Sequence, residues 1–236
     1  MMSRSRLKRI GPQSGDSVPM MITLYTMTGS SATAPRIALG EAGADYELVQ
    51  VERDAAGDNV APAGYAALNP MGKVPALVDG ELVLTEAAAC CLYIAEKYPD
   101  ARLMPPAGGD DWAQTLRWLM LLTNTAQASF LRWYYPDQYT ADANGLEAVQ
   151  NASVAELARV ADVLAAQIGD GPFLIGAQLT VADAFLAMLT GWSGDLGAGS
   201  RWSDNPKLAA HYNAVAQRPA AGAALEAEGF PAAFAG

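Results

Sequence analysis

The pattern of apolar and polar positions divides the chain into two parts with different periods. In the first part, short runs rich in β-branched and aromatic residues stand on either side of a helical stretch. Ile22–Tyr25 and Tyr46–Val51 are predicted strands, and the helix between them is predicted to end at Gly43, a favourable C-terminal cap. Two strands joined by one helix of about ten residues indicate a parallel pair.

A hairpin and a second helix are predicted next. Asp79-Gly80 separates the apolar runs Ala76–Val78 and Leu82–Leu84, and Asp-Gly in such a position is typical of a β-hairpin. A helix follows, with Thr85 or Glu86 at its start. The order β-α-β-β-β-α predicts an α/β domain over residues 21–102.

After the proline- and glycine-rich stretch Pro105–Gly109, the apolar residues recur only at helical spacing. We therefore place a linker at residues 103–110 and an all-helical domain at residues 111–236. Trp112–Phe130 is predicted as a long amphipathic helix, followed by an aromatic loop at Trp133–Pro136.

Three further signals predict helices in this second part. Apolar residues recur at helical spacing from Leu157 to Ile168. Thr180–Asp183 resembles a capping box with Asp in place of Glu or Gln, and Asn205-Pro206 and Arg218-Pro219 are typical helix openings.

Composition narrows the classes of partner. Of the 236 residues, 51% are apolar and 17% charged, and the formal net charge of −10 disfavours a nucleic acid. No apolar run approaches the roughly 20 residues that span a bilayer, so no membrane contact is expected. The two cysteines, Cys90 and Cys91, are adjacent and suit a reducing, cytoplasmic compartment rather than a disulfide framework.

Residues 1–20 differ from the rest of the chain. They carry Arg4, Arg6, Lys8 and Arg9 among Ser, Gly and Pro, without the apolar core of a secretory signal. We interpret them as a disordered extension, with a transit peptide as the alternative.

Val74-Pro75 is the most informative pair for function. It follows a glycine-containing loop and precedes the hairpin, where X-Pro bonds are often cis. A cis bond would leave the backbone of Val74 open to an extended peptide ligand. The helix that starts near Glu86 offers free N–H groups to a carboxylate, and Glu86 itself could bind an amino group. Together these features suit a small zwitterionic peptide such as glutathione.

Four motifs in order resemble those of glutathione transferases: Asn69–Pro75, Leu84–Glu86, Leu179–Asp183 and Asn205-Pro206 with Arg218-Pro219. The resemblance runs from about Met21 to the end, and Thr28–Leu39 looks closest to bacterial beta-class members. It implies a thioredoxin-like domain that holds glutathione, an all-helical domain that helps to bind a second substrate, and a homodimer.

The sequence departs from the beta-class pattern at three positions. Ser31 stands where that class has a cysteine, Ala87 where a serine is usual, and Gln127 where a histidine is found. The binding frame is kept while the chemical groups change, so the exact reaction stays open.

The resemblance assigns candidate roles residue by residue. Ser31 is the candidate hydroxyl for stabilising the thiolate; Ser30 is the alternative, and helix capping is the purely structural interpretation of both. The candidates for holding glutathione are Lys73, Val74, Pro75, Glu86 and Ala87. The candidates for the second-substrate pocket are Gln127, Phe130, Trp133 and Tyr134, whose aromatic members could instead fill the domain interface.

The resulting interpretation is a cytoplasmic glutathione S-transferase that acts in detoxification. Its thiolate would attack a small hydrophobic electrophile, with glutathione as cosubstrate and no metal. The alternatives are a glutathione-dependent isomerase, lyase or dehalogenase on the same frame, and a non-catalytic glutathione-binding protein.

Overall fold

The computed structural model of the protein describes residues 21–53 and 59–234, so the predicted extension at residues 1–20 lies outside the described part. The elements of the first domain are β1 (Ile22–Thr26), α1 (Thr33–Glu41), β2 (Tyr46–Gln50), β3 (Glu52–Arg53), β4 (Asn59–Val60), α2 (Tyr65–Leu68), β5 (Ala76–Asp79), β6 (Leu82–Thr85) and α3 (Ala87–Lys97).

A four-stranded mixed sheet with the strand order β2-β1-β5-β6 forms the centre of this domain. β1 and β2 are parallel, whereas β5 runs antiparallel to both β1 and β6. The predicted parallel pair and hairpin are therefore confirmed, and Gly80 adopts the positive φ of 64° that the hairpin turn uses. The small β3–β4 ribbon and α2 were not predicted, because each is too short to show a period.

The core of the first domain joins the sheet to its helices. Leu24 and Leu77 from the sheet are fully buried together with Ile37 of α1 and Ile94 of α3. Alternating strand positions and one stripe of each helix supply this core, as expected for an α/β layer.

The second domain is helical. Its elements are α4 (Asp110–Leu121), a π-helical segment (Leu122–Gln127), α5 (Ala128–Tyr134), α6 (Leu146–Ile168), α7 (Val181–Trp192), α8 (Pro206–Ala216) and α9 (Pro219–Ala227), with short 3₁₀ turns at Pro99–Ala101, Pro136–Gln138, Ala143–Gly145, Ser193–Asp195 and Trp202–Asp204. The predicted thioredoxin-like domain followed by a helical domain is confirmed.

The most buried helix is α7, with Val181–Leu189 inaccessible to solvent. It begins with the predicted capping box, in which Thr180 and Asp183 bond each other's backbone or side chain. The proline-opened helices α8 and α9 are also confirmed.

The prediction for Trp112–Pro136 is wrong in detail. The helical path continues beyond Phe130 to Tyr134, so Trp133 and Tyr134 lie in the last turn of α5 instead of in a loop. Pro136 disfavours the helical conformation at Tyr135, the residue before it, which explains why α5 ends at Tyr134. The π-helical segment widens the path between α4 and α5, a feature that is frequent at functional sites.

The two domains share one continuous core, in which α1 packs against α7 and α9. Within residues 21–53 and 59–234, none of the helices has the length and apolar character needed to cross a membrane.

Candidate functional site

The loop Asn69–Pro75 presents Val74 at the edge of the first domain. Lys73 O accepts hydrogen bonds from Tyr65 OH at 2.5 Å and from Asn69 Nδ2 at 2.6 Å, which fixes the loop from below. Gly72 has a φ of +64°, and the Val74–Pro75 bond is cis, as predicted. Among the described residues, no group accepts a hydrogen bond from the Val74 N–H. Val74 thus has a backbone donor available to a ligand.

The start of α3 lies beside this edge. Glu86 is the N-cap residue, one position before the helix, and its φ of 68° and ψ of 114° lie in a region that non-glycine residues rarely adopt. Such a conformation costs of order 1–3 kcal/mol and is found mainly at functional positions. The side chain of Glu86 is exposed and makes no capping bond, so both its carboxylate and the first N–H groups of α3 remain open to the cavity.

The two candidate serines differ in what their hydroxyl groups contact. Ser30 Oγ accepts from Ala32 N at 3.2 Å, a contact within the loop that leads into α1. Ser31 Oγ instead donates to Val74 O at 3.1 Å, across 43 residues of sequence. Only the Ser31 hydroxyl of this pair therefore contacts the Val74 edge.

A cavity of about 1860 Å³ lies between the domains and contains these groups in its wall. The predicted residues that line it are Ser30, Ser31, Lys73, Val74, Pro75, Glu86, Ala87, Gln127 and Tyr134. Residues that lie more than 100 positions apart in the sequence are thus brought to one surface. The cavity is large enough for a tripeptide and a second small molecule together.

Two family descriptions match the sequence. "Glutathione S-transferase, N-terminal domain" matches residues 20–96, and "Glutathione S-transferase, C-terminal domain" matches residues 147–214. The chain belongs to the glutathione S-transferase family. Glutathione S-transferase GstA of Escherichia coli O157:H7 is 29% identical over 211 residues, which cover 87% of this chain and 98% of that relative.

Solved structures of glutathione S-transferases support the same family assignment. A bacterial beta-class enzyme of Sphingomonas chungbukensis is 32% identical, with a TM-score of 0.72 over 88% of this chain and 98% of its own. A sphingomonad glutathione S-transferase complexed with glutathione is 31% identical, with a TM-score of 0.71 over 89% of this chain and 100% of its own. The predicted relationship to beta-class-like members is confirmed, and the protein is a glutathione S-transferase-like enzyme.

Two of the four candidates for the second-substrate pocket of this glutathione S-transferase lie outside the cavity wall. Phe130 is fully buried and packs edge-on against Trp192 and Trp202, so it belongs to the core. Trp133 packs edge-on against Tyr134, and its carbonyl accepts from Gln150 at 3.1 Å. The helical period explains why Phe130 and Trp133 do not line the cavity. The face of α5 that points to the cavity carries Leu131 and Tyr134.

Tyr134 is held in place on the cavity wall. Its hydroxyl donates to Asp195 Oδ2 at 2.7 Å and lies 3.1 Å from Trp192 O. Burial, together with the hydrogen bond to Asp195, raises the pKa of this phenol above its usual value. Tyr134 therefore stays protonated and acts as part of the wall rather than as a base.

Sequence reasoning missed several members of the wall. The π-helical segment adds Thr123 and Asn124, and Asp195 comes from the turn after α7. Phe230 lies after α9, with its ring against Gly191, where a Cβ would lie 2.5 Å from it. Only the glycine at position 191 hints at this close approach, and nothing in the local sequence links it to Phe230.

Arg36 and the cysteines lie apart from the cavity wall in this transferase. Arg36 Nη1 bonds Glu228 Oε1 at 2.7 Å, and Arg36 is not among the residues that line the cavity. Cys90 and Cys91 are fully buried, and burial followed by the nearby Glu86 raises the pKa of the Cys90 thiol to about 12. Neither thiol is available for chemistry at neutral pH.

Proposed function

We propose that this protein conjugates the thiolate of glutathione to an electrophilic carbon, with the Ser31 hydroxyl as the donor that stabilises the thiolate. The observation that carries the proposal is the 3.1 Å contact between Ser31 Oγ and Val74 O. In the reaction, the sulfur forms a bond to the carbon while a leaving group departs with its electron pair.

The position of the sulfur follows from how a peptide would pair with Val74. An extended tripeptide that bonds the Val74 N–H and C=O places its middle residue directly opposite. The middle residue of glutathione is the cysteine. Its sulfur would therefore lie close to the hydroxyl that contacts Val74 O, and the hydroxyl would exchange the carbonyl for the sulfur as its acceptor.

The thiolate stabilisation that Ser31 would have to supply is modest. A free thiol has a pKa of about 8.5 and is only a few per cent ionised at neutral pH. Lowering that pKa by about two units requires roughly 2.7 kcal/mol of thiolate stabilisation. A hydrogen bond to a charged acceptor together with the positive end of α1 is of that order.

The remaining groups of glutathione have matching partners. The free N–H groups at the start of α3, including that of Ala87, suit a carboxylate, and the exposed carboxylate of Glu86 suits the ammonium group. Lys73 is exposed on the cavity wall and adds a positive charge for a tripeptide that is a net anion. Val74 and Pro75 supply the edge itself.

The second substrate is proposed to be a small, largely hydrophobic electrophile bound against Leu131, Tyr134 and Phe230. Gln127 and Asn124 add hydrogen-bonding groups to the same wall and suit a substrate with a polar substituent. We further propose a cytoplasmic, homodimeric enzyme of detoxification. The apolar side chains of Leu82 and Val83 on the edge strand β6, each 39% exposed, support a dimer.

The test is the ionisation of bound glutathione. Its thiolate absorbance is titrated against pH in the wild type, Ser31→Ala and Ser30→Ala, and turnover is measured with a panel of electrophiles. We expect a lowered thiol pKa and conjugation in the wild type and in Ser30→Ala. Ser31→Ala should lose roughly 10- to 1000-fold in kcat, about 1.4–4 kcal/mol. Binding without turnover on any electrophile would favour the non-catalytic alternative.

A further inference from the structure

Both backbone polar groups of Gly29, two residues before Ser31, are bonded to the helical domain. The Gly29 N–H donates to Glu228 Oε2 at 2.9 Å, and Gly29 O accepts from Trp192 Nε1 at 2.7 Å. Gly29 has a φ of +71°, a conformation that a glycine adopts without strain. The loop that carries the serines is thus set by a side chain from α7 and by the residue that ends α9.

Glu228 has two partners in the first domain. Besides the Gly29 N–H, its carboxylate accepts from Arg36 Nη1 at 2.7 Å, and the Glu228 side chain is only 1% exposed. Its own N–H bonds Ala224 O at 3.1 Å, which fixes it at the C-terminus of α9. A buried carboxylate held in this way has little freedom to move, so it imposes its position on Gly29.

The carboxylate of Glu41 lies at the interface between α1 and α9, as that of Glu228 does, and serves as a comparison. Glu41, at the other end of α1, accepts from the Ala221 N–H at 3.1 Å and from Arg218 Nε at 2.8 Å. Each carboxylate thus accepts one backbone N–H and one arginine across the domain interface. They differ in location, because Glu228 lines the cavity and Glu41 does not.

We infer that Glu228 is a positioning residue for the reaction: through the Gly29 N–H it holds the Ser31 hydroxyl at the Val74 edge. The inference rests on the proposed function. Between Gly29 and Ser31 the chain has no other bond to the helical domain among the described residues, since Ser30 N bonds Met27 O within the loop. Without an acceptor for Gly29, the peptide unit can turn, and the Ser31 hydroxyl moves with it.

The experiment distinguishes loss of the hydrogen-bond acceptor for the Gly29 N–H from loss of the ion pair between Arg36 and Glu228. Arg36→Met/Glu228→Gln and Arg36→Met/Glu228→Met both lack the ion pair and have side chains of similar shape, but only the first retains an acceptor for the Gly29 N–H. Replacing both members of a buried ion pair by neutral side chains commonly leaves a protein folded. The matched controls are Arg218→Met/Glu41→Gln and Arg218→Met/Glu41→Met. The pKa of the bound glutathione thiol, kcat and Tm are measured for the wild type and all four variants.

We expect the Glu228→Met member to show a thiol pKa about one unit higher and a kcat about tenfold lower than the Glu228→Gln member. The two Glu41 variants should share one thiol pKa and one kcat, whatever their Tm. The inference would be overturned if the two Glu228 variants had the same thiol pKa and kcat. It would also be overturned if the two Glu41 variants differed from each other by as much as the two Glu228 variants do. A wild-type thiol that ionises as in free glutathione would instead overturn the proposed function, and the inference with it.

Discussion

Asp183 Oδ1 lies 3.0 Å from His211 Nε2, and both side chains are completely buried. The Asp183 carboxylate also accepts from the backbone N–H of Leu174, from that of Thr180 and from the Thr180 hydroxyl, each at 2.8 Å. One carboxylate therefore ties together the start of α7, the loop before it and α8.

Removing this carboxylate is expected to destabilise the helical domain strongly. Asp183→Ala leaves buried donors without an acceptor, and we expect a loss of about 3–5 kcal/mol in the free energy of unfolding. His211→Phe removes only one of the four bonds and should cost about 1–3 kcal/mol. Urea denaturation at pH 7 measures both. Equal losses in the two variants would contradict the assignment of Asp183 as the centre of the network.

Glu86 is expected to contribute to glutathione affinity. If its exposed carboxylate binds the ammonium group, Glu86→Ala should weaken binding by about 1–3 kcal/mol in calorimetry. The substitution also changes a residue with a φ of 68°, so Glu86→Gln is the matched control for backbone strain. Glu86→Gln should lose part of the affinity, since an amide oxygen still accepts. Unchanged affinity in Glu86→Ala would reject the role.

Ser31→Cys is expected to change the chemistry of the site. A hydroxyl forms no disulfide, whereas in the proposed binding mode a thiol at this position would face the glutathione sulfur and form a mixed disulfide with oxidised glutathione. Intact mass spectrometry should detect one glutathione adduct on Ser31→Cys and none on the wild type.

The native cysteines set the background of that measurement. Cys90 and Cys91 are buried and Cys90 has a pKa near 12, so neither should react in the folded protein. The adduct should therefore persist in Ser31→Cys/Cys90→Ala/Cys91→Ala. An adduct on the wild type would show that a native cysteine reacts. Loss of the adduct in the triple variant would show that Ser31 is not the position that faces the sulfur.

Local chemistry explains which features could be predicted from the sequence. The Val74-Pro75 turn, the Asp79-Gly80 hairpin and the Thr180–Asp183 capping box each depend on a few adjacent residues, and all are present. The same holds for the strands and for the helices opened by Pro206 and Pro219.

The parts that sequence reasoning missed depend on distant contacts. Glu228 is a common surface residue type, and only the fold brings it to Gly29, 199 positions away. Phe130 and Tyr134 are both aromatic and lie one helical turn apart, yet one packs into the core and the other lines the cavity. Which of them does so depends on the rotation of α5, which the π-helical segment changes by an amount that a simple helical period does not give.

The bonds to Gly29 also set an order of events during synthesis. The serines are made early, but the Trp192 and Glu228 side chains that hold the preceding glycine leave the ribosome only 163 and 199 residues later. A nascent chain can complete the first sheet long before then. Its serine loop nevertheless remains without these two partners until α9 has been made and has docked against α1. If Glu228 positions the serine as proposed, competence for catalysis is thus delayed until α9 has emerged.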